Sequence, residues 1–249
     1  MCMSDSHVAH IEIQSSIEQR FTVKNYLVNK QTHKKLLLSD ESGHCIVRSI
    51  VQKPVDITVY ERLLDISSPY ICNILEICES EDAYIIYEEY CEGMTLDELG
   101  TGISEKQALD IAMSICSGLY VLHECSIVHR DLKPENIIIG DDNSVKIIDF
   151  DSARLFKTGS GNDTQLLGTI GYAAPEQFGF SQTDNKADLY SLCVILNMLI
   201  TGYHPSVKMC ENKHIKKILQ KCLSINPNER YNDANELNKA FAKARRWCK

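Results

Sequence analysis

From His129 to Asp149 the chain reads HRDLKPENIIIGDDNSVKIID, and no other stretch constrains its folding as tightly. Residues 136–139 and 145–148 are short β-favouring runs, and the GDDNS between them has the composition of a tight turn, so the segment predicts an antiparallel hairpin. A polar octapeptide, HRDLKPEN, leads into the first strand, and Asp149 leaves the second. Such a hairpin returns the chain to its starting point, so it aims the carboxylates of Asp131 and Asp149 at one place.

The character of the chain changes near Gly93. Before it, residues 26–29, 36–38, 45–50 and 84–87 are rich in β-branched, aromatic and aliphatic side chains, a polar turn lies at 39–43, and one helix interrupts them around 56–66. After it, Ser104 opens an S-x-x-Q capping box with Gln107, and Ala108, Ile111, Ala112, Ile115, Leu119 and Leu122 follow at helical spacing. With 249 residues and 44% hydrophobic content, the chain can bury a sizeable core. The expected class is α+β, with an N-terminal lobe of small antiparallel sheet and one helix (about 1–92) and a larger, mainly helical lobe (93–249).

Composition removes several alternatives. A net charge of -8 repels phosphate backbones, so nucleic acid is not an expected partner and any phosphate site must be local. Eleven cysteines, an odd number with no C-x-x-C, read as free thiols of a reducing cytoplasm. The N-terminal stretch lacks a basic region followed by an apolar core and does not resemble a secretion signal. The longest apolar run, 189–200, is about a dozen residues against the roughly twenty a bilayer requires, and is expected to be a core helix.

In-line phosphoryl transfer needs an acceptor for the attacking hydroxyl's hydrogen bond, oxygen ligands for a metal, and cations matched to phosphate charge. Asp131 suits the first role, Asn136 and Asp149 the second, and Lys133 a contact with the transferring phosphate. On these residues the sequence resembles the eukaryotic-type protein kinase superfamily, and its Asp149-Phe150-Asp151 form and Glu88-Glu89-Tyr90 stretch are similar to those of compact bacterial serine/threonine kinases. The resemblance implies ATP and Mg2+ as cofactors and a protein hydroxyl as substrate. It extends to GTIGYAAPEQ at 168–177, implied to be a substrate platform, and to Asp188 in KADLYSL, implied to brace the catalytic loop. It also implies that Arg230 pairs with Glu176, and that Thr169 bonds to Asp131 and Lys133 as in serine/threonine-specific members. Arg130 precedes Asp131 as in kinases whose activation segment is ordered by a phosphate, for which Thr158, Ser160 and Thr164 are candidates.

The nucleotide grip departs from the family pattern. No glycine occurs before Gly43, so NKQTHKK at 29–35 stands where a glycine-rich loop would lie, with Lys30, Lys34 and Lys35 either replacing its phosphate cradle or simply solvated. In HCIVRSI, Arg48 is read as the replacement for the lysine that contacts the α- and β-phosphates, with Glu61 as its ion-pair partner or as a plain exposed glutamate. Glu88 falls at the gatekeeper position, and Glu89 to Cys91 are expected to present backbone groups to adenine. The metal motif reads Asp149-Phe150-Asp151, with Asp151 where a glycine is usual. Three functions fit this mixture: an active serine/threonine kinase, a pseudokinase serving as a nucleotide-binding or scaffolding module, and a small-molecule phosphotransferase.

Overall fold

The computed structural model describes residues 17, 19–31, 33–156, 168–179 and 183–248. The chain divides into two compact units, Met1–Ser67 with Cys72–Cys91, and Ser68–Ile71 with Glu92–Lys249.

The smaller unit is an antiparallel sheet of β1 (Thr22–Asn29), β2 (His33–Ser39), β3 (Cys45–Gln52), β4 (Ile74–Glu79) and β5 (Ala83–Glu89), in the order β1-β2-β3-β5-β4, with helix α1 (Thr58–Leu63) before β4. The expected helix around 56–66 is thus shorter than its sequence pattern. Asp56 starts it, its Oδ1 accepting from the Thr58 amide at 3.0 Å and from the Thr58 hydroxyl at 2.6 Å. Strand β4 has no clean alternation in ILEICE because its register with β5 shifts between Ile74 and Glu76, a bulge that breaks the period of two.

Register decides what each face of this sheet carries, because directly opposed residues of paired strands point the same way and neighbours along a strand point oppositely. Lys35 opposes Ser49 and Leu37 opposes Val47, while Ser49 opposes Ile86 and Val47 opposes Glu88. These residues share one face. Leu36 opposes Arg48, and Arg48 opposes Tyr87, on the other. That second face holds the apolar cluster of Leu36, Leu38, Ile46, Cys78 and Tyr87, against which Ile17, Phe21, Ile50 and Ile85 pack.

The larger unit begins with β6 (Met94–Thr95) and the one-turn helix α2 (Leu96–Leu99), whose capping box joins Thr95 and Glu98 in both directions. Helix α3 (Glu105–Glu124) starts where the Ser104 hydroxyl accepts from the Gln107 amide, and all six of its expected core residues are buried. Then come β7 (Ile127–Val128), β8 (Ile137–Ile139), β9 (Val145–Ile147) and β10 (Arg154–Leu155), with β6, β8 and β9 forming one small sheet and β7 pairing with β10. Gly93 is required at the entry to β6: its φ is +140°, and a Cβ there would stand 2.2 Å from the Ile139 carbonyl oxygen.

Helix α4 (Asn185–Thr201) is apolar nearly all round and packs on α3 as a buried core helix. Among the described residues no helix is long and apolar enough to cross a membrane. Buried Asn197 organises the short connection from α4 to α5 (Lys213–Cys222), donating to the Tyr203 and Lys208 carbonyls at 2.8 Å each and accepting from the Cys210 amide at 2.9 Å. The last helix, α6 (Ala234–Arg245), packs on α3.

Candidate active site

The hairpin anticipated from the sequence forms, with Ile137 opposite Ile147 and Ile139 opposite Val145. Asn136 sits just before β8 at the end of a 3-10 turn started by Pro134, whose missing N–H costs nothing at that position. Its carbonyl accepts from the Ile148 amide at 3.0 Å, tying the octapeptide to the residue before Asp149. Asp149 itself is held at φ +67°, a conformation rarely adopted outside glycine and sustained only where the surroundings enforce it.

Around Asp131 three side chains converge. Thr169 Oγ1 donates to Asp131 Oδ1 at 2.7 Å, and Lys133 Nζ lies 2.9 Å from Asp131 Oδ2 and 3.4 Å from Thr169 Oγ1. Asn136 Nδ2 donates to the Asp131 carbonyl at 2.9 Å. That bond fixes which way the amide points and leaves its Oδ1, which accepts no protein hydrogen bond among the described residues, as a hard oxygen. Burial lowers the Lys133 pKa, but the Asp131 carboxylate, with Glu135 and Asp149, outweighs it and the net shift is upward. Lys133 is therefore a fixed ammonium.

The octapeptide is braced from beneath by Asp188 of α4, which is fully buried. Its two oxygens accept from the His129 and Arg130 amides at 2.9 Å each, and one also meets His123 Nε2 at 2.9 Å. Burial alone would raise the Asp188 pKa, yet the contacts with His123 and His129 prevail and hold it below the ordinary carboxylate value. Arg130 is bent to φ +64°, its carbonyl accepting from Gln177 Nε2 at 2.6 Å and its Nε donating to the Ser152 carbonyl at 2.8 Å. The His129 ring packs edge-on against Phe150, with centroids 5.7 Å apart.

The segment carrying Thr169 is anchored at both ends. A Cβ on Gly168 would stand 2.6 Å from Ala173 Cβ, so that position admits only glycine without rearrangement. Glu176 forms a two-pronged ion pair with Arg230, at 2.6 and 2.8 Å, in which both residues are buried. Arg230 also donates to the Ser224 carbonyl at 2.9 Å, and Tyr190 stacks beneath it. Ile170, beside Thr169, is 88% exposed.

In the smaller unit the nucleotide residues read from the sequence are only partly brought together. Glu61 is exposed on α1, whose inward positions are Val59, Tyr60 and Leu63, and it makes no ion pair among the described residues, so the expected Arg48–Glu61 pair does not form. Arg48, opposite Tyr87, lies on the other face of the sheet from Glu88, which opposes Val47. Of the three candidate lysines, Lys30 and Lys34 are exposed, whereas Lys35 is buried. Buried Glu88 accepts from the Ser49 hydroxyl at 2.5 Å.

The Glu89 carboxylate accepts from Asn73 Nδ2 at 2.7 Å, and its amide donates to the Asn73 carbonyl at 2.9 Å. Pinning of this kind fixes the end of β5 and its backbone direction into Cys91. Asp151 is exposed, and Thr158, Ser160 and Thr164 lie outside the described residues.

Sequence reasoning missed His123, Gln177 and Ser49. Gln177 ends the motif GTIGYAAPEQ and could have been flagged by it. Ser49 could have been found only by fixing the register of β3.

A family model described as the protein kinase domain matches residues 52–248. The chain is 35% identical over 183 residues to the serine/threonine-protein kinase PrkC of Bacillus subtilis, covering 70% of this chain and 28% of that protein. Against the probable serine/threonine-protein kinase PknB of Lactococcus lactis it is 30% identical over 189 residues, covering 73% and 30%. A probable myosin light chain kinase of Dictyostelium discoideum is 33% identical over 178 residues, covering 69% and 50%. The chain thus spans about 30% of the length of its bacterial relatives.

Proposed function

The chain belongs to the protein kinase domain family, and we propose that it transfers the γ-phosphate of ATP to serine or threonine hydroxyls of a protein. The observation that carries this reading is the Asp131–Thr169–Lys133 cluster, in which each oxygen of one carboxylate is held by a separate neighbour. A carboxylate so fixed can accept the hydrogen bond of an incoming hydroxyl in a constant direction and take its proton as the phosphorus–oxygen bond forms. Lys133, a fixed cation 2.9 Å from that carboxylate, is placed to meet charge on the transferring phosphate.

Asn136 Oδ1 and the Asp149 carboxylate would hold Mg2+. Two protein oxygens suit a cation that commonly takes one or two carboxylate-type ligands and completes its shell with phosphates and water. When bound, the metal neutralises charge on the phosphates. Adenine would be met by backbone groups of Glu89 to Cys91; the carboxylate bonds to Asn73 support this by fixing that backbone.

A polypeptide substrate is favoured over a small alcohol by the anchored segment 168–177. It presents exposed Ile170 next to Thr169, and a small substrate would need no such platform. The intact Asp131 cluster likewise speaks against a purely scaffolding role. A reducing, cytoplasmic setting accords with Cys193 and Cys222, which meet as thiols, burial pushing Cys193 up so that it stays protonated.

The test is incubation with Mg-ATP, a generic protein substrate and a panel of small alcohols, beside Asp131→Asn. Phosphoserine or phosphothreonine in the protein substrate, abolished by Asp131→Asn, supports the reading. Phosphorylated alcohols alone, or nucleotide binding without transfer, would replace it.

A further inference from the structure

The smaller unit contains three buried polar or charged residues among those described, Lys35, Ser49 and Glu88. All three lie on one face of the sheet, on three adjacent strands. Lys35 of β2 stands directly opposite Ser49 of β3, and the Ser49 hydroxyl donates to Glu88 of β5 at 2.5 Å. Sequestering an ammonium and a carboxylate in a sheet is costly unless they meet opposite charge, so a row of this kind marks a surface arranged around charge rather than around packing.

The opposite face differs in kind. Arg48 projects there, between Leu36 and Tyr87 across the strands, and that face is filled by the chain's own apolar cluster with Ile17 and Phe21 packed on it. Phosphate cannot be accommodated against such a surface without displacing it. The turn between β1 and β2 offers no glycine to bring backbone amides close to phosphate, so the sheet must present positive charge through a side chain.

We propose that Lys35 of β2, and not Arg48 of β3, is the residue through which the sheet contacts the phosphates of ATP, with Ser49 and Glu88 positioning its ammonium. The proposal rests on the ATP-dependent reading above and reassigns one of its residues. A lysine on β2 reaches the place that a lysine at position 49 would occupy, because the two positions are opposed in register. Its compact ammonium suits phosphate as a point charge, whereas the guanidinium of Arg48 faces away.

Two experiments on the full chain test this. In the first, the wild-type protein is treated with an acyl-phosphate derivative of ATP, which acylates lysines next to bound phosphates, and the modified residues are identified by mass spectrometry. Label at Lys35 that excess ATP suppresses is expected; ATP-suppressible label confined to Lys30, Lys34 or Lys53 overturns the proposal. In the second, the ATP dependence of transfer is measured for Lys35→Met, Arg48→Met and the exchange Lys35→Met with Ser49→Lys.

Loss of a phosphate-contacting cation is expected to raise KM for ATP about tenfold or more in Lys35→Met, to shift it less than about threefold in Arg48→Met, and to be largely recovered in the exchange. The reverse order of the two single variants contradicts the assignment. Were Lys35→Met unable to fold, the labelling still decides. A wild-type protein that transfers phosphate without labelling at Lys35 defeats this proposal alone, and one that neither binds nor transfers defeats the kinase reading with it.

Discussion

Asp131 in the larger unit is held by Thr169, Lys133 and Asn136, groups drawn from its own octapeptide and one further motif, and the loop beneath it is fixed by a single buried carboxylate, Asp188. In the smaller unit, Lys35, Ser49 and Glu88 come from three strands and share one face only because the strands pair in one register. The first arrangement is built from short motifs, an octapeptide that supplies Lys133 and Asn136 and single residues, Thr169 and Asp188, from two others. The second is relational, and a slip of one residue would turn every member to the other face. On the proposals above, a catalytic loop is kept intact while the sheet that would grip nucleotide is rebuilt around a different cation.

The largest effect expected from breaking the local side is that of Asp131→Asn, which should lower kcat about a thousandfold while leaving nucleotide binding in place, since a positioned general base contributes roughly 10² to 10⁴. Rate measurements at saturating ATP, with a parallel binding titration, check it. Next comes Arg230→Ala, which leaves Glu176 buried without its partner and should cost about 3 to 5 kcal/mol of stability in urea unfolding. A cost under about 1 kcal/mol would mean that the 168–177 segment is anchored by other means.

Asp188 makes the same comparison sensitive to pH. Its folded pKa lies below the ordinary value of 3.8, so its stabilisation is complete above that pH and is lost as pH falls toward the lowered value. Thermal melting of the wild type should therefore drop more steeply below about pH 4 than that of Asp188→Asn, which carries no titrating group there. The smallest effect belongs to Glu61→Ala. An exposed residue with no ion pair among the described residues should change stability by no more than about 0.5 kcal/mol, and a large rise in KM for ATP would show that it does engage the nucleotide grip after all.

What could be read from sequence follows the same division. The hairpin, the octapeptide and the core of α3 were legible because each depends on residue type at fixed local spacing, whereas the Thr169 and Arg230 contacts, 38 and 54 residues from their partners, were implied by family resemblance. Arg48 was read as the phosphate contact because HCIVRSI stands where the family's V-A-I-K would lie, but β3 places its next neighbour, Ser49, on the face of Glu88. Periodicity gives alternation without saying which member of the alternation faces which way. The KKLLL of β2 held a signal, since Lys35 opens the run that is buried through Leu38, yet its burial depends on pairing with β3. The family match begins at residue 52, so β1, β2 and nearly all of β3 lie where family resemblance gives no register.

The central claim, that an intact transfer apparatus persists beside an altered nucleotide grip, is tested most directly by following labelled γ-phosphate from Mg-ATP into a protein substrate at varied ATP for wild type, Asp131→Asn and Lys35→Met. The account predicts transfer to serine or threonine by the wild type, loss of kcat in Asp131→Asn, and a rise mainly in KM for ATP in Lys35→Met. No transfer by the wild type, or equal rates in wild type and Asp131→Asn, would contradict it.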